Sequence, residues 1–540
     1  MSTPLTCLDL FCGCGGFSLG MERAGFRCLA AIDFNKEAVA TFKANFSQDT
    51  LTLCEDLTKF TPEKLATKLD INKIDVIVGG PPCQGFSMVR QVNAANHGSR
   101  VRRDKRRYFF RVFLDYIRHF QPRVFIMENV LGIQSAVKGK FFTMVQAEAR
   151  KLGYRVHPQV EEAWKLGVPQ KRRRQLIIGV RHDIPGYFPG ELKPASRATS
   201  TATLWDAIGD LPSLAAGEGI EETDYNRARR EEFLTRRGKQ ARDFLEKTIE
   251  VGRAMKLTAH RARPHSERDL RDFNLLREGE HSGQAEARGV KMEFTYKRTC
   301  FHDRYKRQHR DRLCSTIVAH LAKDGLMFIH PTQNRSLTPR EAARIQSFPD
   351  WFCFPVARTH QFRLIGNAVP PLVGEAVGNA VRDFLAAKAE KVIRFEISPL
   401  PDSEEQAIEW LRPLLDLAPR ALRQLNSKSF KRAWFAIAFL YAGLHPDAAL
   451  DHGETISHEP SENYPSVSTL EPRLLAPYYE RSGWPVVLAA IAREAWRRYR
   501  NNKLSDQEFY CSEAQMAGIC SRAPQIAKEV QLKHINFRAN

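Results

Sequence analysis

One cysteine stands where a nucleophile would be placed. Residues 79–87 read Gly-Gly-Pro-Pro-Cys-Gln-Gly-Phe-Ser, so Cys83 follows two prolines and precedes a glycine. The preceding run, Ile74–Val78, is short, largely apolar and rich in β-branched side chains, which is typical of a buried strand in a parallel sheet. Ligands of such sheets gather at the carboxyl ends of the strands, where Cys83 would emerge. Cys83 is therefore a candidate nucleophile, although a thiol by itself is more often a packing residue.

A carboxylate is expected beside this cysteine. Glu128 follows the apolar run Val124–Met127, which predicts another strand, so the side chain should lie at the same edge of the sheet and close to Cys83. A group of this type can donate or accept a proton during a reaction. The alternative is that Glu128 caps the next helix and that Asn129 is a plain turn residue.

A glycine-rich turn near the amino terminus is typical of a nucleotide site. Asp9-Leu-Phe11 precedes three glycines, and an acid, Asp33, ends the next predicted strand. Glycines let a ligand approach the backbone, a helix amino terminus favours negative groups, and the acid can accept from ribose hydroxyls. A dinucleotide site would have a further glycine where Ser18 stands, so the pattern favours S-adenosylmethionine. A simple tight turn is the alternative. The three glycines are Gly13, Gly15 and Gly16.

Asp56 extends this candidate site. It follows the predicted third strand and could accept a hydrogen bond from an adenine amino group, although an exposed loop aspartate is the alternative.

Composition restricts the partners. The chain has 540 residues, with 82 Lys and Arg against 62 Asp and Glu, a formal net charge of +20 that suits a polyanion such as nucleic acid. A solvated basic surface is the alternative. The eleven cysteines lack spacing typical of zinc sites, so we expect no metal. The first residues lack the pattern of a signal peptide and no apolar run is long enough to span a bilayer, so we expect a cytoplasmic protein without membrane contact.

The elements that position these residues alternate between strands and helices over the first 180 residues. This pattern predicts an α/β fold with a doubly wound, mostly parallel sheet of the Rossmann-like kind. Polar, arginine-rich sequence then indicates an inserted domain, and Thr338, Pro339 and Glu341 form the signal of a capped helix where order returns. The predicted domains are a first catalytic part at 1–180, an insert at 181–334, a return to the catalytic domain at 335–392 and a mainly helical extension at 393–540.

Six motifs in order resemble those of the cytosine-5 DNA methyltransferases. The resemblance covers residues 5 to about 388, apart from the divergent insert. Its motifs are Asp9–Phe17, Gly80–Ser87, Glu128–Val130, Gln170–Arg174 (Gln-Lys-Arg-Arg-Arg), Leu337–Pro349 and Gly366–Pro371.

The resemblance implies a reaction. The Cys83 thiolate would add to carbon 6 of a cytosine, Glu128 would protonate ring nitrogen 3 or donate a hydrogen bond to it, and the methyl group would then reach carbon 5 from S-adenosylmethionine. Arg172 and Arg174 would contact the 2-keto oxygen of the base and brace the catalytic carboxylate. For the cofactor, the resemblance implies that Pro81 and Asn367 help to form the pocket, with Phe11 and Phe34 flanking the adenosine. A buried asparagine in a turn is the alternative for Asn367.

A base inside double-stranded DNA must be rotated out of the stack before a thiol can reach it. The stretch 84–107 is rich in arginine and suits closure over DNA, although it could be a solvated basic loop. Gln84, Ser87, Arg106 and Gln170 are the expected DNA contacts outside the insert. By resemblance, the insert reads the DNA sequence. Its basic residues could contact either phosphates or guanine bases, and they include Arg227, Arg229, Arg230, Arg261, Arg263, Arg268, Arg304, Lys306 and Arg307.

The resemblance also implies a biological setting, because such microbial enzymes commonly protect DNA from a companion restriction endonuclease. Two other functions stay open. A branch with the same motifs methylates cytosine in transfer RNA, and Cys300–Tyr305 is weakly similar to one of that branch's motifs. A catalytically silent DNA-binding regulator on the same scaffold is the other.

Overall fold

The structure is a computed structural model that describes residues 4–71, 73–82, 108–137, 139–181, 184, 188–198, 202–254, 256–294, 303–386, 392–396 and 508–512, the last two segments by their backbone alone. Four of the predicted site residues lie outside these ranges. They are Cys83, Gln84, Ser87 and Arg106.

A seven-stranded sheet organises the fold, with the order β3-β2-β1-β4-β5-β7-β6. The pairs β1–β2, β2–β3, β1–β4 and β4–β5 are parallel, which confirms the predicted doubly wound α/β fold. The order reverses between β1 and β4, and ligands of such sheets bind outside the carboxyl ends of the strands at this switch point. The strands are β1 Thr6–Leu10, β2 Arg27–Asp33, β3 Leu51–Cys54, β4 Val76–Gly79, β5 Val124–Asn129, β6 Tyr154–Glu162 and β7 Arg173–Arg181.

The helices of this part follow the apolar periodicity of the sequence. Lys36–Asn45 forms α2 as predicted, and the Asn35 side chain caps it by accepting from the Ala38 backbone N–H at 2.8 Å. In α4, the side chains of Phe113 and Ile117 are fully buried at helical spacing. The helices up to β7 are α1 Gly16–Arg23, α2 Lys36–Asn45, α3 Pro62–Leu69, α4 Phe109–Phe120, α5 Gly132–Ser135 and α6 Lys140–Lys151.

Mostly short elements follow β7, and the longest described helix among them is Pro371–Ala386. The predicted cap is confirmed, because the Thr338 side chain accepts from the Glu341 N–H while the Glu341 carboxylate accepts from the Thr338 N–H at 2.7 Å. The remaining described α-helices and strands are α7 Leu204–Ile208, β8 Glu222–Thr223, α8 Arg227–Arg237, α9 Lys239–Asp243, β9 Leu257–Thr258, α10 Glu267–Leu275, α11 Ser282–Ala287, α12 Pro339–Ile345, α13 Arg358–Asn367, α14 Pro371–Ala386, β10 Val392–Glu396 and β11 Glu508–Ser512.

The chain divides into two compact units. The first comprises Met1–Glu148, Gln159–Ile178 and Glu191–Arg382. The second comprises Ala149–Pro158, Gly179–Gly190 and Asp383–Asn540. Within the second unit, β10 and β11 pair in antiparallel fashion, and the rings of Phe188 and Phe384 meet edge to face at 5.6 Å between centroids.

The core of the first unit joins distant parts of the sequence. One cluster contains Cys14 and Leu19 of the catalytic part together with Leu204 and Leu245 of the predicted insert and Phe348 of the returning segment. A separate cluster includes Phe273, Tyr305 and Ile329, and it lies wholly within the insert. The insert therefore contributes both to the shared core and to a small core of its own, and its division from the catalytic part at residue 334 stays a prediction.

No helix among the described residues is long and apolar enough to cross a membrane.

Candidate active site

The glycine-rich turn opens towards the switch point of the sheet. Gly13 and Gly15 have φ angles of +56° and +92°, a region that side chains other than glycine seldom adopt. A Cβ on Gly15 would lie 2.4 Å from Cε2 of Phe46, whereas a Cβ on Gly13 would meet nothing within 4 Å. Gly15 is thus required by packing beneath the turn, and Gly13 leaves open space above it.

Two buried aspartates hold this turn in place. Asp33 accepts through Oδ2 from the Gly13 backbone N–H at 2.9 Å and through Oδ1 from the Asn35 N–H at 2.9 Å. Burial raises the pKa of Asp33, and those backbone hydrogen bonds oppose the rise. Asp9, predicted as a cofactor contact, instead accepts from the Ser18 hydroxyl at 2.6 Å, below the protein surface. Ser18, which stands where a dinucleotide site would have a glycine, therefore holds the Asp9 side chain in place.

Several other predicted cofactor residues lie around the same turn. The ring of Phe34 is 65% exposed directly after Asp33, which suits a flat ligand surface. The β3 end is adjacent, because the Glu55 N–H donates to the Asp33 carbonyl at 3.0 Å, and the exposed Asp56 follows. The Oδ1 atom of Asp56 accepts from the Thr58 N–H at 3.0 Å and from the Thr58 hydroxyl at 2.8 Å.

The last of the six motifs, Gly366–Pro371, lies beside the glycine-rich turn. A Cβ on Gly16 would lie 2.2 Å from the Val369 carbonyl oxygen, so the turn after α13 packs directly on the start of α1. Asn367 ends α13 within two residues of that contact, and its side chain is exposed rather than buried. Phe11 has a φ of 59° and its ring stacks on Phe109 with 6.2 Å between centroids. These placements fit an adenosine-bearing ligand at the switch point.

Glu128 is held by an arginine at the carboxyl end of β5. The Nε of Arg174 lies 2.9 Å from Oε1 of Glu128, and both side chains are largely buried, with 17% and 12% exposed. A Cβ on Gly80 would lie 3.4 Å from the other oxygen, Oε2, so the segment that leads into Cys83 passes beside this carboxylate. The absence of a side chain at Gly80 thus allows this segment to pass close to the Glu128 carboxylate.

Asn129 positions the same segment, a role that its sequence position alone did not reveal. Its Nδ2 donates to the Pro81 carbonyl at 3.2 Å, and its Oδ1 accepts from the Val130 N–H at 3.0 Å. The side chain is almost fully buried. The only available signal was the placement of an amide directly after Glu128 on a buried strand.

Arg172 does not share the position of Arg174. Its buried guanidinium donates to the Ile317 carbonyl at 2.9 Å and to the Ala368 carbonyl at 2.8 Å. These contacts tie the start of β7 to the turn beyond Asn367. Both arginines were expected to brace the Glu128 carboxylate. The described contacts support this for Arg174, whereas those of Arg172 are with backbone carbonyls.

The prediction that Gln170 contacts DNA needs correction. Gln170 is completely buried, its Nε2 donates to the Ile345 carbonyl at 3.2 Å and its Oε1 accepts from the Ile317 N–H at 3.0 Å. With its amide engaged in the interior, it joins the segment before β7 to Ile317 and to Ile345 at the end of α12.

Some basic residues of the insert stabilise the fold by donating to backbone carbonyls. Arg307 is buried and donates to the carbonyls of Leu276 at 2.9 Å and His330 at 2.9 Å. Arg263 donates to the Leu321 carbonyl at 2.9 Å. Irregular segments leave carbonyls without helix or sheet partners, and these guanidinium groups satisfy them. Arg227 and Arg261 are exposed and remain candidates for contacts with DNA.

The described residues contain no group of three or more His, Cys, Asp or Glu side chains that could hold a metal ion.

The comparisons with known proteins agree with this geometry. A family model for the C-5 cytosine-specific DNA methylases matches residues 5–383. The type II methyltransferase M.DdeI of Desulfomicrobium norvegicum is 33% identical over 398 residues, which are 69% of this chain and 88% of that protein. The type II methyltransferase M.XorII of Xanthomonas oryzae pv. oryzae is 32% identical over 407 residues, 72% of this chain and 87% of its own length.

A solved structure supports the same assignment. A DNA modification methyltransferase encoded within an E. coli prophage shares 27% identity and a TM-score of 0.55, over 71% of this chain and 99% of that one. The chain therefore belongs to the C-5 cytosine-specific DNA methylase family, and it is a DNA (cytosine-5)-methyltransferase that uses S-adenosylmethionine.

Proposed function

We propose that Cys83, Glu128 and Arg174 carry out the reaction on a cytosine rotated out of duplex DNA. Carbon 5 of cytosine is too electron-poor to take up a methyl group directly. The Cys83 thiolate forms a bond to carbon 6 while Glu128 donates a proton or hydrogen bond to ring nitrogen 3, which makes carbon 5 nucleophilic. After methylation, carbon 5 loses its proton and the carbon–sulfur bond breaks, which regenerates the thiolate.

The observation that supports this proposal best is the Arg174–Glu128 pair. Its 2.9 Å contact places a largely buried carboxylate at the end of β5, beside the glycine and prolines that precede Cys83. The arginine can hold the carboxylate in one orientation and place further positive charge near the base, where negative charge develops during addition. We assign Arg172 a positioning role, because its contacts link β7 to the turn after α13.

S-adenosylmethionine supplies an electrophilic methyl group from a sulfonium centre. We propose that Gly13, Gly15 and Gly16 allow its close approach, that Asp33 faces the ribose and that Phe34 offers a surface for the adenine. Asp56, Phe11, Pro81 and Asn367 would border the same space. Asp9 would act indirectly by anchoring the turn through Ser18.

Duplex DNA would be held by the basic stretch 84–107, including Gln84, Ser87 and Arg106, and by exposed arginines of the insert. Because the curated relatives are type II methyltransferases, we propose that the chain protects host DNA against a companion restriction endonuclease. It would act in the compartment that holds this DNA, the cytoplasm of a microbe.

A methyl-transfer assay tests this function. Full-length protein is incubated with tritiated S-adenosylmethionine and either duplex DNA or transfer RNA, and the experiment is repeated with Cys83→Ser. We expect label in duplex DNA only, and none with the serine variant even though DNA binding persists. Label in transfer RNA alone would favour the RNA enzyme, and DNA binding without any label in the wild type would favour a silent regulator.

A further inference from the structure

A cavity on the insert combines aromatic rings with arginines, and none of the residues assigned to catalysis lines it. It has a volume of about 510 Å³, within the range of roughly 300–1,000 Å³ typical of small-ligand sites. Its walls come from α7, from α8 and from the chain near Arg310. All of them lie within the first unit, so the cavity belongs to one compact body.

The aromatic wall depends on a glycine. Trp205 and Phe233 meet edge to face at 6.4 Å between ring centroids, and both rings are partly exposed. A Cβ on Gly209 would lie 2.4 Å from Phe233 and 2.8 Å from Trp205. The backbone of Gly209 is right-handed helical, with φ −70° and ψ −18°, so alanine would be tolerated by the backbone but not by the rings. Gly209 therefore sets where the two rings lie.

The charged wall is rich in arginine. Four arginines and two acids line the cavity, and Arg237 pairs with two acids, Asp206 and Asp311. Arg236 pairs with Glu232 at 2.6 Å, but these side chains are 79% and 60% exposed, so water screens the pair and Arg236 can turn to another anion. Arg310 donates to Glu278 and lies with its guanidinium carbon 6.0 Å from the Trp205 ring centroid.

We propose that this cavity binds one nucleotide unit, with the base against Phe233 and Trp205 and the phosphate against Arg236 and Arg310. Aromatic rings contact bases of any sequence through their faces, and a guanidinium matches the geometry of a phosphate. The nucleotide can come from two sources: an unpaired nucleotide within DNA, or a free nucleotide in solution. The catalytic residues take no part in this binding, so it stands or falls separately from the proposed reaction.

Two binding measurements on the full-length protein distinguish the sources. Both use saturating S-adenosylhomocysteine to occupy the cofactor site. One probe is tritiated dGTP in equilibrium dialysis. The other is a duplex of A·T pairs carrying one extra unpaired 2-aminopurine, whose fluorescence falls on stacking; without cytosine, this duplex has no target for the catalytic site.

The variants are Phe233→Ala, Arg236→Ala and Gly209→Ala, with Arg118→Ala as the control. Arg118 is likewise an exposed helical arginine in an ion pair, with Asp115 at 2.6 Å, but it lies on α4. We expect Phe233→Ala to weaken binding about tenfold, as for the loss of one base–aromatic contact. Arg236→Ala, at a position 79% exposed, should weaken binding several-fold without affecting the fold. Gly209→Ala should also weaken binding, because it displaces the two rings without any change of charge.

Weaker binding of the duplex alone would identify DNA as the source, and weaker binding of dGTP alone would identify a free nucleotide. Both results support the site, provided that Arg118→Ala binds as the wild type does and that kcat for methyl transfer is unchanged in Phe233→Ala. Wild-type protein that binds neither probe, or pocket variants that bind both probes as tightly as the wild type, would overturn the proposal.

Discussion

At the scale of single residues, the side chains that carry chemistry were more predictable than the side chains that hold them. Cys83 and Glu128 stand out because their types and their positions after apolar runs suggest a reaction. The difference between Arg172 and Arg174 was not predictable, because Arg172 is covered by carbonyls from Ile317 and Ala368, far along the chain. Arg172 lies directly before β7 and Arg174 lies within it, and only long-range packing separates their partners.

Replacing Arg174 by alanine should remove the group that orients Glu128. We expect kcat to fall by about 100-fold or more, the lower end of the effect of a positioned acid or base. The matched control is Arg173→Ala, the neighbouring residue, whose Nε lies 3.5 Å from Glu162 instead. At saturating DNA, single-turnover rates for the control should stay within about twofold of the wild type. Equal losses in both variants would show that the Arg174–Glu128 contact has no special role.

Asp9 should make stability depend on pH. Burial raises its pKa to about 7, from about 3.9 in an unfolded chain, so the folded state holds the proton more tightly. This contribution to stability is fully present below pH 4 and is lost as the pH rises towards 7.

Urea unfolding of the wild type and of Asp9→Asn at several pH values measures this effect. Between pH 4 and pH 8, the wild type should lose stability relative to Asp9→Asn, by on the order of 4 kcal/mol at most. Ser18→Ala removes a hydrogen bond that lowers the pKa of Asp9. This variant should therefore lose more stability than the wild type between pH 4 and pH 8. Parallel curves for the wild type and Asp9→Asn would contradict this explanation.

At the scale of elements, periodicity and caps predicted the regular parts well. Helix α2 and the capped start of α12 follow directly from local sequence, since the Asn35 and Thr338 side chains satisfy backbone groups within their own helices. The arginines of the insert were misleading for the opposite reason. Arg263 and Arg307 were expected to face DNA, but irregular backbone needs donors for its carbonyls, and these residues supply them.

Two glycines of the turn between β1 and α1 should differ in what their replacement by alanine changes. Gly13→Ala places a methyl group in open space that we assign to the cofactor, so it should raise the KM for S-adenosylmethionine several-fold while the strained φ costs about 1 kcal/mol of stability. Gly15→Ala meets the ring of Phe46 and should lower the melting temperature more than Gly13→Ala does. Thermal unfolding and initial rates on both variants test this contrast. A cofactor KM unchanged in Gly13→Ala would contradict the assignment of that space.

At the scale of the whole molecule, the net charge of +20 suits a polyanion partner, and the sheet has a defined switch point of the kind at which ligands of such folds bind. Most of the sheet was predictable because its central strands are apolar runs, whereas β6 has no such run and was not predicted. The way the insert joins the fold was not, because its core forms between Leu204, Leu245 and Phe348, which no local pattern connects. The catalytic part and the insert thus share one core, which suits an enzyme that must hold DNA against its active site.

Bisulfite sequencing of plasmid DNA from cells that express the protein tests the central claim most directly. We expect cytosines within one recurring sequence to resist conversion when the wild type is expressed, and all cytosines to convert when Cys83→Ser is expressed at the same level. Protection that persists with Cys83→Ser would contradict the role of Cys83 as the nucleophile.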